Sequence, residues 1–360
     1  MSQMNDSGGA APSVTPPINE PGLPTGATVR PATDADVHAV ANAFPDMQPD
    51  RWRGGDNRRS FAALADGHVV GHCRGIDNVF HPGTRTLVFE IDDAHRGTDL
   101  EDQLLAAQIA VSTVPLTVKL IRDTPAMTAL SARHRGFAYQ LCPPWAYVVG
   151  PEMRAWAARH IAAHRAPTAG DSQALAQLEA EHYAAQHAAW NPSAPIDTML
   201  DAFADDHDPD APGYDRDRSV VIERDGRVVA AALVWPGSNA VPDLDLTGEA
   251  EEGGREVTLL SNPYDSPAAW RDKAACIAAV VERSADGDRL LIDSHATQRG
   301  EIALMGNVPG LDPAHDDEWT ALVAIPAGTG ANAQVRPLPA DALPADLSAA
   351  GLTWARPLLT

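Results

Sequence analysis

The feature that most restricts what this chain can fold into is a pair of short patterns that occur twice in the same order. Arg30-Pro31-Ala32-Thr33 with Asp36 returns 135 positions later as Arg165-Ala166-Pro167-Thr168 with Asp171. Asp66-Gly67-His68-Val69-Val70-Gly71 returns 159 positions later as Asp225-Gly226-Arg227-Val228-Val229-Ala230, and the extra length falls in an acidic loop around Asp205 to Asp217. Both patterns have a local physical meaning. Thr33 reads as a helix N-cap, with Asp34 and Asp36 placed to complement the dipole of the first turn. An Asp-Gly pair between apolar runs reads as a hairpin turn, because both residues accept positive φ. A recurrence of this kind points to a duplicated unit.

The elements between these anchors repeat as well. The first half reads as a strand at Ala27 to Arg30, a helix, a hairpin of Ser60 to Ala65 and His68 to Cys73, and a strand at Thr86 to Ile91. A helix carrying Leu104, Leu105 and Ile109 follows, then a strand at Leu116 to Ile121, a short helix at Ala126 to Arg133 and a closing strand at Phe137 to Val149. In the second half, Glu256 to Leu260, a helix from Ala268 to Arg283 and Arg289 to Ile292 mirror the third strand, its helix and the fourth strand. The expected class is α+β: two tandem domains, each a mixed central sheet flanked by helices, over residues 27–150 and 165–326. Residues 1–26 are rich in Gly and Pro and lack apolar periodicity, so they are expected to be a disordered tail. Residues 327–360 form a Pro/Ala-rich tail with one edge strand expected at Leu352 to Leu359.

Charge narrows the function. The 360 residues carry 27 Lys and Arg against 49 Asp and Glu, net −22, which disfavours a protein that neutralises nucleic-acid phosphates. Residues 1–150 hold 12 basic and 16 acidic side chains, net −4, whereas residues 151–360 hold 15 and 33, net −18, so a polyanion meets less repulsion in the first half. No apolar run reaches the roughly 20 residues of a membrane span, and no basic leader precedes an apolar stretch, so a cytoplasmic protein without a membrane partner is expected. The three cysteines, Cys73, Cys142 and Cys276, are too far apart for a CxxC zinc site and read as small hydrophobes.

At Phe89-Glu90-Ile91-Asp92-Asp93-Ala94-His95-Arg96-Gly97-Thr98, and again at Arg133-His134-Arg135-Gly136-Phe137, the chain resembles the GNAT superfamily of acyl-CoA-dependent N-acyltransferases. Its tandem layout is similar to two-domain members found in actinobacteria, of the mycothiol synthase type. The resemblance implies two GNAT-like domains, acetyl-CoA as acyl donor and a small amine as acceptor. It implies donor-binding roles for Ile91, Arg96, Gly97, Thr98 and Leu100, with the pyrophosphate held at a helix N-terminus. Arg96, Gly97 and Leu100 match the family turn, whereas Asp99 and Glu101 stand where later small residues belong. The second copy, Ser261-Asn262-Pro263-Tyr264-Asp265-Ser266-Pro267, has no glycine in that turn and reads as a degenerate domain that supplies part of the acceptor pocket.

Acyl transfer to an amine needs a base for the ammonium and an acid for the leaving thiolate. Glu90 is the candidate base, because strand alternation points it away from Phe89 and Ile91. Ala132 occupies the place where the family keeps a tyrosine acid, which leaves Ser131, with His134 and Tyr139 as further substitutes. The alternative is an inactive tandem that binds a metabolite or a partner. No metal site is expected: His68 and His72 share a strand face and Glu179 precedes His182 by a turn, but neither pair has a third ligand at matching spacing.

Overall fold

A computed structural model describes residues 27–40, 43–44, 47, 60–235, 254–314, 318–327 and 335–359. The expected tail over residues 1–26 lies outside them. The first half runs β1 (Thr28–Pro31), α1 (Asp34–Val40), β2 (Ser60–Ala65), β3 (His68–Asp77), β4 (Arg85–Ile91), α2 (Asp99–Val111), β5 (Leu116–Leu120), α3 (Pro125–Arg133), β6 (Phe137–Cys142) and β7 (Ala146–Val148). After α4 (Pro151–His160) the second half runs α5 (Ser172–His187), α6 (Ile196–Ala202), β8 (Val220–Arg224), β9 (Arg227–Trp235), β10 (Gly254–Ser261), α7 (Pro267–Arg283), β11 (Arg289–Ile292), α8 (Arg299–Met305) and β12 (Thr320–Ile325). The class is the expected α+β, with two mixed sheets flanked by helices.

The repeated patterns build the same structure twice. Arg30 grips Asp36 with two hydrogen bonds of 2.7 and 2.8 Å, and the Thr33 backbone N–H and hydroxyl donate to the same carboxylate at 2.7 Å. Arg165 grips Asp171 at 2.7 and 2.8 Å, and Thr168 donates from backbone and hydroxyl at 2.7 and 2.8 Å. Even the irregularity is duplicated. Register shifts between Ala63 and Leu64 where β2 meets β3, and between Ile222 and Glu223 where β8 meets β9, each leaving one valine, Val70 or Val229, as the extra residue of a bulge. That bulge breaks the alternation on which a shared face for His68 and His72 depended: His68 is exposed and His72 fully buried.

The two sheets do not follow the division of the chain. The first has the order β1-β2-β3-β4-β5-β12-β6 and the second β7-β11-β10-β9-β8. Strand β12, from the end of the second half, lies antiparallel between β5 and β6 of the first, and β7, from the end of the first half, pairs antiparallel with β11 of the second. The closing strand expected over Phe137 to Val149 is therefore two strands in different sheets. Pro143 and Pro144 explain the break, since neither can donate to a ladder.

Each sheet has its own core. Leu100, Leu104 and Leu105 of α2 and Leu130 of α3 cover the first sheet, while α7, buried from Asp272 to Val281, covers the second and packs against α4. The C-terminal segment is not an edge strand: Thr353–Leu358 forms a 3-10 helix whose Ala355 and Leu358 are fully buried in the first core. Pro357 suits such a turn and not a ladder.

Candidate active site

Strands β4 and β5 are parallel but pair only at Arg85 with Leu116 and Thr86 with Thr117, after which they separate. A cavity of about 790 Å³ occupies the wedge, walled by Leu87, Phe89 and Ile91 of β4 and Val118 and Lys119 of β5. Its far end reaches Arg96 and the start of α2. Gly97 there has φ +70°, and a Cβ added to it would meet no atom within 4 Å, so the turn calls for glycine and the space beside it is open. Thr98, the α2 N-cap, makes no capping bond with its side chain; its hydroxyl donates to the His95 carbonyl at 2.6 Å. A helix start left uncapped by a side chain presents N–H groups suited to an anion.

The expected donor-binding residues meet here in different capacities. Ile91 and Arg96 line the wedge, Gly97 and Thr98 form the turn, and Leu100 sends its side chain into the core, leaving only its backbone to the helix start. Arg96 is largely exposed and pairs with Asp93 at 3.2 Å. The two acids of the turn separate: Asp99 is exposed, whereas Glu101 is buried and lines the cavity. Glu90, Asp92, Asp93 and Asp123 add to the acidic wall against Arg96 and Lys119.

Glu90 faces the opposite side of β4 from Ile91, pairs across the ladder with His72, and accepts a short hydrogen bond from His72 Nε2. The imidazole is fully buried under the edge of Phe44 and aims the carboxylate at the wedge. Ser131 is not brought to this place. Its side chain is fully buried on α3 beside Gly136, its hydroxyl has no hydrogen-bond partner, and it lines neither this cavity nor the next. His134 is held by Asp102 at 3.0 Å, and Tyr139 lies on β6 in a second cavity.

That second cavity, of about 630 Å³, lies between the two halves. The first half contributes Phe80, His81, Thr117, Lys119 and Tyr139; the second contributes Tyr183, His187 and Trp190 from α5 and its extension, with Glu256, Asp293 and His295. Val118 and Lys119 line both cavities, so the two spaces border the same stretch of β5 beside the β4–β5 opening. Burial holds His81 down at about 4 and drives His187 well below the ordinary imidazole value, so both rings are neutral near pH 7. Burial foremost, with the Asp293 carboxylate beside it, raises the Glu256 carboxyl. The sequence reading expected the second half to supply part of an acceptor pocket but, Tyr139 apart, gave none of the residues that line this chamber a part in the reaction. Its only local signals were single charges inside apolar strands, Lys119 on β5 and Glu256 on β10.

The equivalent region of the second copy is built differently. Strands β10 and β11 stay paired through Val257 and Ile292, and the ladder places Leu260 where the first copy has Glu90. His182 Nδ1 accepts the Ser261 backbone N–H at 3.1 Å, and the Ser266 side chain caps α7 by accepting from Ala269 at 3.1 Å. The Trp270 ring packs so closely on Gly300 that a Cβ there would lie 2.0 Å from it, and a buried Lys273–Glu301 pair joins α7 to α8. Glu179 and His182, which lacked a third ligand at matching spacing, are both buried, and Glu179 accepts from His207 at 2.5 Å.

No protein-family model matches the chain, and no curated protein matches it. Among solved structures, a GCN5-related N-acetyltransferase from Sphaerobacter thermophilus aligns with a TM-score of 0.50 at 13% identity, over 87% of this chain and 100% of that one. A GCN5-related N-acetyltransferase from Kribbella flavida aligns at 0.48 and 14% identity over 83% of this chain and 71% of that one. The first alignment takes in both halves and shows a GNAT-like fold. Among the described residues no helix is long and apolar enough to cross a membrane.

Proposed function

We propose that this protein is an N-acyltransferase that takes an acetyl group from acetyl-CoA to a small amine, at the amino-terminal wedge. The observation that carries the reading is that two cavities share the wall formed by Val118 and Lys119, where β4 and β5 part. One cavity ends at an uncapped helix start suited to a pyrophosphate, and the other opens between the halves, so donor and acceptor reach the same opening from opposite faces. The continued pairing of β10 and β11 in the second copy argues for a single donor site.

In the proposed reaction the amine nitrogen forms a bond to the thioester carbonyl carbon and the carbon–sulfur bond breaks. Glu90, held by His72, takes the proton that the ammonium must lose. Lys119, the ionisable side chain that lines both cavities, replaces Ser131 as the group offered to the leaving thiolate. Donor-dependent thiol release with a panel of amines tests the reading: Glu90→Gln is expected to lower kcat by about 10²-fold or more, the usual scale of general-base catalysis.

A second reading, an inactive tandem that binds a metabolite or partner, is favoured by Glu101, whose carboxylate lies in the donor wall. Calorimetric titration with acetyl-CoA separates the two, since absence of binding together with absence of thiol release leaves only the second.

A further inference from the structure

The chamber between the halves holds a combination of groups that the reaction does not itself require. One wall is a run of rings in contact: Phe80 lies 5.5 Å from Tyr183, Tyr183 stacks on His187 at 3.9 Å, His187 meets Trp190 at 4.4 Å, and Trp190 stacks on Tyr139 at 5.7 Å. The lining also carries the carboxylates of Glu256 and Asp293, and among the described residues neither carboxylate forms an ion pair within 4 Å or a hydrogen bond. The other two acids of the lining are already engaged, Asp77 with Arg85 at 2.8 Å and Glu179 with His207. Lys119 is the one cation among the lining residues described. A volume of about 630 Å³ is ample for a molecule of ten to twenty heavy atoms.

Resting on the acyltransferase reading, we propose that this chamber selects its acceptor by class: a primary amine on an aromatic body, bearing no carboxylate. The ring wall offers flat apolar surface and π-faces that attract a cation. Glu256 and Asp293 offer charge-assisted hydrogen bonds to an ammonium and repel an anion. An amino acid, whose carboxylate would share the chamber with these acids, is disfavoured on the same ground. Most of the selecting groups, Tyr183, His187, Trp190, Glu256 and Asp293, come from the second half, which gives the second copy a role in specificity.

Calorimetry on the full chain without donor tests the chamber by itself, using phenethylamine, phenylalanine and phenylacetate as probes. Phenethylamine is expected to bind at least about tenfold more tightly than phenylalanine, and phenylacetate not at all. Asp293→Asn combined with Glu256→Gln should weaken phenethylamine about tenfold or more, and Phe80→Ala, at a half-exposed position, should weaken it severalfold with the circular dichroism spectrum unchanged. Equal affinity for phenethylamine and phenylalanine, no binding of phenethylamine, or no effect of the double substitution overturns the proposal. Thiol release with acetyl-CoA is then measured separately. Amine binding without turnover removes the enzyme reading and leaves the chamber, whereas turnover of carboxylate-bearing acceptors as fast as phenethylamine removes the selectivity and leaves the enzyme.

Discussion

In the proposed donor site, Glu101 is the residue on which acetyl-CoA binding is expected to turn. Its carboxylate lines the wedge while Asp99, two positions before it, is exposed to solvent. At about 5 Å from a phosphate oxygen and an effective dielectric near 20, like charges repel by about 3 kcal/mol. Glu101→Gln is therefore expected to raise affinity for acetyl-CoA at least about fivefold by calorimetry, and Asp99→Asn to change it little. Stability should move the other way, by about 0.3 to 1 kcal/mol in urea denaturation, because a first-turn carboxylate complements the helix dipole. Arg96→Ala should weaken binding about tenfold, the scale of a hydrogen bond to a charged group, while Arg271→Ala on the second copy should do nothing measurable. Sequence alone pointed to Glu90 through strand alternation, and to Arg96 and Gly97 through the family resemblance of their turn, because these signals are local. It treated Asp99 and Glu101 alike, since which acid faces the wedge depends on how α2 rotates when Leu100, Leu104 and Leu105 seat in the core.

The duplicated Arg-Thr-Asp cluster at the start of α1 and of the short turn before α5 is the element whose chemistry is most fully readable from sequence. The Arg30 side-chain hydrogen bond is the largest cause that lowers Asp36, to about 2, and the Arg165 hydrogen bond lowers Asp171 further. Both folded values lie below the ordinary carboxylate value of about 3.9, so the unfolded chain binds more protons in that range and stability falls with falling pH. The contribution is complete above about pH 5; for Asp36 it is lost as pH drops through 4 toward 2, and for Asp171 the loss extends to still lower pH. Each cluster should contribute on the order of 1 to 2 kcal/mol after allowance for the partly exposed guanidinium groups. Urea denaturation of Asp36→Asn should show that loss at pH 7 and much less of it near pH 2.5, and Asp171→Asn a smaller decline over the same range; an equal cost at both pH values would assign the effect to packing. The hairpins were legible for the same local reason. Their bulges were not, because Val70 and Val229 look like ordinary members of an alternating strand until the partner register is known.

At the scale of the whole molecule, the chain reads as two units, yet its sheets are built from both. Nothing local in Thr320 to Ile325 distinguishes a strand that closes its own sheet from one that crosses into the other, and only the prolines at 143 and 144 hint at the reciprocal departure of β7. The exchange has an energetic consequence. Ala321, Val323 and Ile325 of β12 and Leu352, Ala355 and Leu358 of the C-terminal segment are buried in the first core. Residues 27–150 expressed alone would leave β5 and β6 unpaired at the place β12 fills and would expose the apolar surface those six side chains cover. At roughly 1.5 to 3 kcal/mol for each large apolar side chain, the loss is comparable to the whole stability of a domain, typically about 5 to 15 kcal/mol. The fragment is therefore expected to be expanded or aggregated, with unpaired edges available to other chains. Co-expression with residues 151–360 should recover a soluble complex that co-purifies in one-to-one ratio, because β7 and β12 then again find their partners. A fragment 27–150 that unfolds cooperatively on its own, with native-like near-ultraviolet circular dichroism, would show that the exchange is dispensable and that each half closes its own sheet.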